Sequence, residues 1–253
     1  VTSRHGLPPS CIVELCGLPG AGKTWLASAL GQEEGTLVTS MPALGIGPEV
    51  PTARRLSRKL GLVAAASIRR PALEATMAKR IWRSGQPRPG DTASRWVQWT
   101  GTQALMSRAR QAPGVHLFDE GVIQALWSLG LRGDPAGVLE MLTGTPGRWS
   151  RPDLVVVVDP PIDLLVRRLR DRPSQHSRVQ RIDDDDELHA ELVRGRSLLD
   201  RLLAWWEEVA EGEASVVRVV DEQEDPVSAV DASIRRITAG PSSRGKGLSR
   251  GRS

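Results

Sequence analysis

Residues 17–24 read Gly17, Leu18, Pro19, Gly20, Ala21, Gly22, Lys23 and Thr24, a glycine followed four residues later by Gly-Lys-Thr. Chemistry explains those residue types at that spacing. Glycines let successive backbone N–H groups converge on phosphate oxygens, and a helix that starts at the end of the loop adds its partial positive charge. Lys23 is then placed to reach β- and γ-phosphates, and the Thr24 hydroxyl to hold a Mg²⁺ ion. The pattern implies binding of a nucleoside triphosphate, with ATP and Mg²⁺ as the expected cofactors.

Two further groups complete a phosphoryl-transfer chemistry. Val115-His116-Leu117-Phe118 is an apolar run closed by Asp119 and Glu120. Asp119 fits the carboxylate that holds Mg²⁺ directly or through water, and Glu120 fits a base that takes a proton from an attacking hydroxyl or orients a water. The plain alternative is that both acids end a strand and cap the next helix. The second group lies in 167–181, where Arg167, Arg168, Arg170, Arg172, Arg178 and Arg181 face a single acid, Asp171. Guanidinium forks suit phosphate oxygens, so Arg168, Arg172 and Arg178 are the expected nucleotide contacts of a lid; a solvated basic helix face is the alternative.

Positioning these groups requires strands that end together. Five apolar runs have the length and β-branched content of buried strands: 12–16, 36–39, 115–119, 154–159 and 215–220. Leu154-Val155-Val156-Val157-Val158 is apolar at every position, as a parallel strand covered on both faces should be. Helical spacing is expected over 25–30, 71–84, 94–111, 121–129, 188–209 and 226–238, with Asp91 capping the third or contacting the acceptor, and Asp159 capping a helix whose first positions are Pro160 and Pro161. The acid run 183–187 suits the N-terminal end of the long helix, with metal binding as the lesser alternative. Strands alternating with helices imply an α/β fold with a parallel sheet and helices on both faces.

The formal charge of +4 does not describe the folded part. Arg4, Arg244, Lys246, Arg250 and Arg252 lie in the terminal stretches, so residues 11–240 carry −1. The expected organisation is an N-terminal tail over 1–10, one domain over 11–240 and a disordered basic tail over 241–253. Nucleic acid enters only through that last tail, as an electrostatic tether. Cys11 and Cys16 are five apart in one strand and point to opposite faces, so they are expected as free thiols in a reducing cytoplasm. No run is long and apolar enough for a bilayer. Trp82, Trp96 and Trp99, with Arg54, Arg55, Arg58 and Lys59, are expected on the acceptor side formed by 41–110, where the indoles either stack a substrate ring or pack the core. Oligomeric state leaves no mark in the sequence.

With these motifs in hand, the chain resembles the nucleoside and nucleotide kinase group of P-loop proteins, thymidylate-kinase-like in particular. The resemblance rests on GLPGAGKT, LFDEG, VVVVDPPIDLLVRRLRDR and VVRVVDEQEDP. It implies a parallel five-stranded P-loop sheet, ATP at its carboxyl edge and adenine between the lid and residues 221–225. Relatives usually carry an arginine where Glu120 stands, and a carboxylate there repels a phosphorylated acceptor. The expected activity is therefore transfer of the γ-phosphoryl group of ATP to a hydroxyl of a small acceptor, nucleoside-like or otherwise. An NTP-dependent switch or ATPase and a nucleotide or nucleic-acid kinase are the alternatives.

Overall fold

The computed structural model describes residues 10–32, 36–39, 51–138, 150–172, 178–209, 215–220 and 225–239. The expected tails, residues 173–177 of the expected lid and residues 221–224 lie outside them. Strand β1 (Cys11–Cys16) leads through the glycine loop into α1 (Lys23–Leu30), and β2 (Thr36–Thr39) follows. Three helices then run in sequence, α2 (Thr52–Arg69), α3 (Pro71–Arg83) and α4 (Pro89–Ala109). The chain continues with β3 (Val115–Phe118), α5 (Val122–Arg132), β4 (Leu154–Val158), α6 (Ile162–Arg170), a 3-10 turn (Arg178–Arg181), α7 (Asp185–Val209), β5 (Ser215–Val219) and α8 (Pro226–Thr238).

The strands form one five-stranded sheet in the order β2-β3-β1-β4-β5, and every pairing is parallel. β1 is the central strand, with Ile12 opposite His116 of β3 and Leu15 opposite Val156 of β4. All carboxyl ends therefore share one edge, where open α/β sheets bind ligands.

Alternation along buried strands divides the core into two layers. Ile12, Cys16, Phe118, Val155 and Val157 face one side, packed with residues of α4 to α7 that include Trp99, Leu126, Leu165 and Trp206. Cys11, Val13, Leu15, Leu154 and Val156 face the other, against Leu26 and Leu30 of α1 and Val230 and Ile234 of α8. This accounts for the unbroken valine run of β4: consecutive residues fill opposite layers, and both layers are dry. The thiols of Cys11 and Cys16 are free, buried and in different layers.

Two expected caps are corrected. Pro89 occupies the first turn of α4, where its missing N–H costs nothing, and Arg88 is the N-cap. Asp91 consequently lies inside that turn and pairs with Arg132 at 3.3 Å. Helix α6 starts two residues later than expected, with Pro161 at its N-cap. Asp159 instead receives Arg196 at 2.7 Å and Arg218 at 3.3 Å, tying the end of β4 to α7 and β5. In the acid run, Asp184 accepts the Glu187 N–H at 2.7 Å and Asp185 pairs with Arg170 at 2.7 Å.

At the opposite edge of the sheet, Asp153 fastens β1 to the end of α4. Its carboxylate accepts the Ile12 N–H at 2.7 Å and pairs with Arg110 at 2.7 Å. Asp153→Ala leaves that N–H without its partner and should lower the unfolding free energy by about 1–2 kcal/mol, read from urea denaturation with an unchanged slope.

Candidate functional site

The glycine loop sits at the carboxyl edge, between the end of β1 and the start of α1. Gly22 forms the N-cap of α1 with φ +99°, a left-handed conformation that a side chain would strain. The Lys23 ammonium folds back onto the loop and donates to the carbonyl oxygens of Gly17 at 2.7 Å and Leu18 at 3.2 Å. Burial lowers its pKa, while Cys16, Glu120 and Asp119 favour the charged form and Arg172 opposes it. The same charges show which expected site residues come together: Lys23, Asp119, Glu120 and Arg172 share one electrostatic environment.

Asp119 and Glu120 follow β3, the strand beside β1. Desolvation in the cleft raises the pKa of Asp119, against the pull of its own backbone N–H and of Lys23. Glu120 is raised by the same desolvation and then by Asp119, while Lys23 and Arg95 favour its charged form. A carboxylate with a raised pKa accepts a proton more readily than an ordinary glutamate, which is the direction a base needs.

Two cavities open beside the glycine loop. The first, about 580 Å³, runs from Gly20, Ala21 and Gly22 past Trp25 to Val219, Val220 and Pro226, with Arg168, Asp171 and Arg172 on its rim. Arg168 leans over the loop, with Nη1 3.4 Å from the Ala21 carbonyl oxygen. The second, about 380 Å³, is bounded by Pro19, Lys23, Glu120, Arg95, Gln98, Gln124, Trp127, Ser128 and Arg172. Arg172 borders both cavities. Arg178 begins the 3-10 turn, and its side chain lies outside the described residues.

On the acceptor side, Trp99 is buried in the core, and Trp96 donates its indole N–H to buried Glu74 at 3.2 Å. Neither borders the cavity beside Lys23. Its polar wall comes from residues that sequence reading did not assign: Arg95 donates to Gln98 at 2.7 Å and to Ser128 at 2.6 Å.

Glu14 is the other unassigned residue. It lies fully buried in the middle of β1, with Oε1 accepting the Gln124 N–H at 2.9 Å and Oε2 without a hydrogen-bond partner. The N–H groups of Val122 and Ile123 also point to it, and burial pushes its pKa up to about 8. Gln124 in turn accepts the Gly17 N–H through its side-chain oxygen at 3.2 Å. Glu14 thus ties the start of α5, directly after Asp119 and Glu120, to the phosphate loop. At Gly121 there is no room for more, because a Cβ would stand 2.2 Å from the Glu14 carboxyl carbon. A lone acid inside the run Cys-Ile-Val-Glu-Leu-Cys was the available signal, since a charge in a doubly covered strand must find donors or take up a proton.

The donors also suit Mg²⁺. The Thr24 hydroxyl is exposed at the first turn of α1 and Asp119 stands at the cleft, a hard-oxygen set that a triphosphate and water complete. Among the described residues no group of three or more His, Cys, Asp or Glu is arranged to hold a metal, and a phosphate-bound Mg²⁺ needs none. No described helix is long and apolar enough to cross a membrane.

No family model matches the chain, and no curated sequence matches it. Solved structures do. A deoxyadenosine kinase from M. mycoides, with products dCMP and dCDP bound, is 9% identical with a TM-score of 0.50, covering 90% of this chain and 99% of its own. Thymidylate kinase from Candida albicans is 14% identical with a TM-score of 0.49, covering 91% and 93%. Shikimate kinase from Bacteroides thetaiotaomicron is 16% identical with a TM-score of 0.42, covering 90% and 97%. At 9% identity the likeness to the deoxyadenosine kinase concerns the fold alone, and the chain shares that fold, a parallel sheet with helices on both faces.

Proposed function

We propose that the protein is an ATP- and Mg²⁺-dependent phosphotransferase acting on a hydroxyl of a small organic acceptor. The observation that carries this reading is the pair of cavities that share Arg172, one bordered by the glycine loop and the other by Lys23. A nucleotide in the larger one places its terminal phosphate at the loop, and the smaller one leaves room for a second molecule in front of it. An ATPase needs space only for water.

In this reading the backbone of residues 17–22 and Lys23 hold the phosphates, with Thr24 and Asp119 as the Mg²⁺ ligands. The metal neutralises charge on the phosphate oxygens. Arg168 and Arg172 belong to a lid over 167–181, extended by Arg178, and stabilise charge as it moves from the acceptor oxygen to the leaving ADP. Glu120 accepts the proton of the acceptor hydroxyl while its oxygen forms the new bond to phosphorus. Arg95, held by Gln98 and Ser128, favours the charged form of Glu120 across the cavity and offers a polar wall to the acceptor. The domain is read as 11–240 between two tails, with the C-terminal one free to act as a tether for a polyanion.

The direct test is ADP release measured with panels of nucleosides, nucleotides, sugars and other alcohols. Release should rise with at least one hydroxyl acceptor, and Glu120→Gln should lower that acceptor-dependent rate about 10²-fold while leaving ATP affinity within a few-fold. Release that ignores every acceptor identifies an ATPase instead.

A further inference from the structure

We propose that Trp25 is the platform on which the base of the bound nucleotide stacks. The inference rests on the nucleotide reading above and adds the means by which the base is held. Trp25 follows Thr24 in the first turn of α1, so the helix that receives the phosphates also carries the indole. Its side chain is 61% exposed, although Leu26 and Ala27 beside it are buried. An indole left in water next to a phosphate site gives up a large apolar area that a flat ligand would cover.

The cavity wall supports the same occupant. Among the described residues bordering the 580 Å³ cavity Trp25 is the single aromatic one, and its neighbours Leu26, Val158, Val219 and Pro226 carry no hydrogen-bonding side chain. Charged groups gather at the loop end, on Arg168, Asp171 and Arg172. The cavity is thus polar where a triphosphate would lie and apolar beyond it, with one aromatic face between. Such a wall holds a ring by its face and not by its edges.

Binding of MgATP and of inorganic tripolyphosphate with Mg²⁺, each followed by calorimetry, separates this inference from the reading beneath it. Wild-type protein should bind both ligands, ATP more tightly. Trp25→Ala should weaken ATP about ten- to a hundredfold and leave tripolyphosphate unchanged, and Trp25→Phe should recover most of the loss. ATP should also quench tryptophan fluorescence in the wild type, and Trp25→Phe should remove that component. Equal weakening of both ligands, or weakening of neither, overturns the platform while leaving the phosphate loop intact. Wild-type protein that binds neither ligand overturns the nucleotide reading, and the platform with it.

Discussion

Lys23→Ala is expected to lower acceptor-dependent turnover about 10³-fold and to remove measurable ATP binding, while the fold and its melting temperature stay within the error of the wild type. The two halves of this expectation have different origins. Among the described residues Lys23 donates to the Gly17 and Leu18 carbonyls of its own loop, so alanine frees two acceptors that water can reach through the open cleft. Little stability is at stake. Function is another matter, because burial depresses the lysine pKa and an arriving triphosphate adds negative charge that offsets it. Ligand and lysine therefore stabilise each other in a desolvated site, where a single donor to a transferring group is worth about 10²–10³ in rate. Calorimetric titration with MgATP, steady-state kinetics and thermal unfolding check the three parts. Unchanged ATP affinity in the alanine variant would remove the phosphate loop from the mechanism.

The phosphate loop and the strands were legible because their chemistry is local. Glycine spacing, the adjacent lysine and a β-branched run all lie within a dozen residues of one another, and the ranges 36–39 and 226–238 coincide with β2 and α8. Helix α2 was missed because its sequence was read for its charges, Arg54, Arg55, Arg58 and Lys59, while Leu56, Leu60 and Val63 carried the helical spacing between them. The caps assigned to Asp91 and Asp159 failed for a related reason. Each acid precedes a plausible helix, but proline sets the first turn elsewhere, and each carboxylate found a distant arginine instead. Most of the wall of the cavity beside Lys23 was illegible in principle. Arg95 and Gln98 come from α4, Glu120 from the turn after β3, and Ser128 from α5, so only packing brings them to one cavity. Nothing in a linear pattern marks that meeting.

Glu14 offers the sharpest test of how that packing is held. In the unfolded chain its carboxyl titrates near 4.5, and in the fold burial raises it to about 8. A raised acid pKa means that the folded state holds a proton the unfolded state has released. Between pH 4.5 and 8 stability should therefore fall as pH rises, by about 1.4 kcal/mol per unit and on the order of 5 kcal/mol across the window, with no further loss above it. Glu14→Gln keeps an oxygen for the Gln124 N–H and has no charge to bury. Its unfolding free energy should match the wild type most closely near pH 4.5 and exceed it progressively up to pH 8. Glu14→Ala loses the acceptor and opens a void beside Gly121, so it should be unstable at every pH in the window. Urea denaturation of the three proteins at several pH values distinguishes these curves. If the wild-type and Gln profiles run parallel, the carboxyl stays charged throughout and the three N–H groups of α5 stabilise it more than burial costs. If they diverge as expected, Glu14 is neutral in the fold, and it is as a neutral acid that it accepts the N–H groups at the start of α5 and ties that helix, directly after Glu120, to the glycine loop.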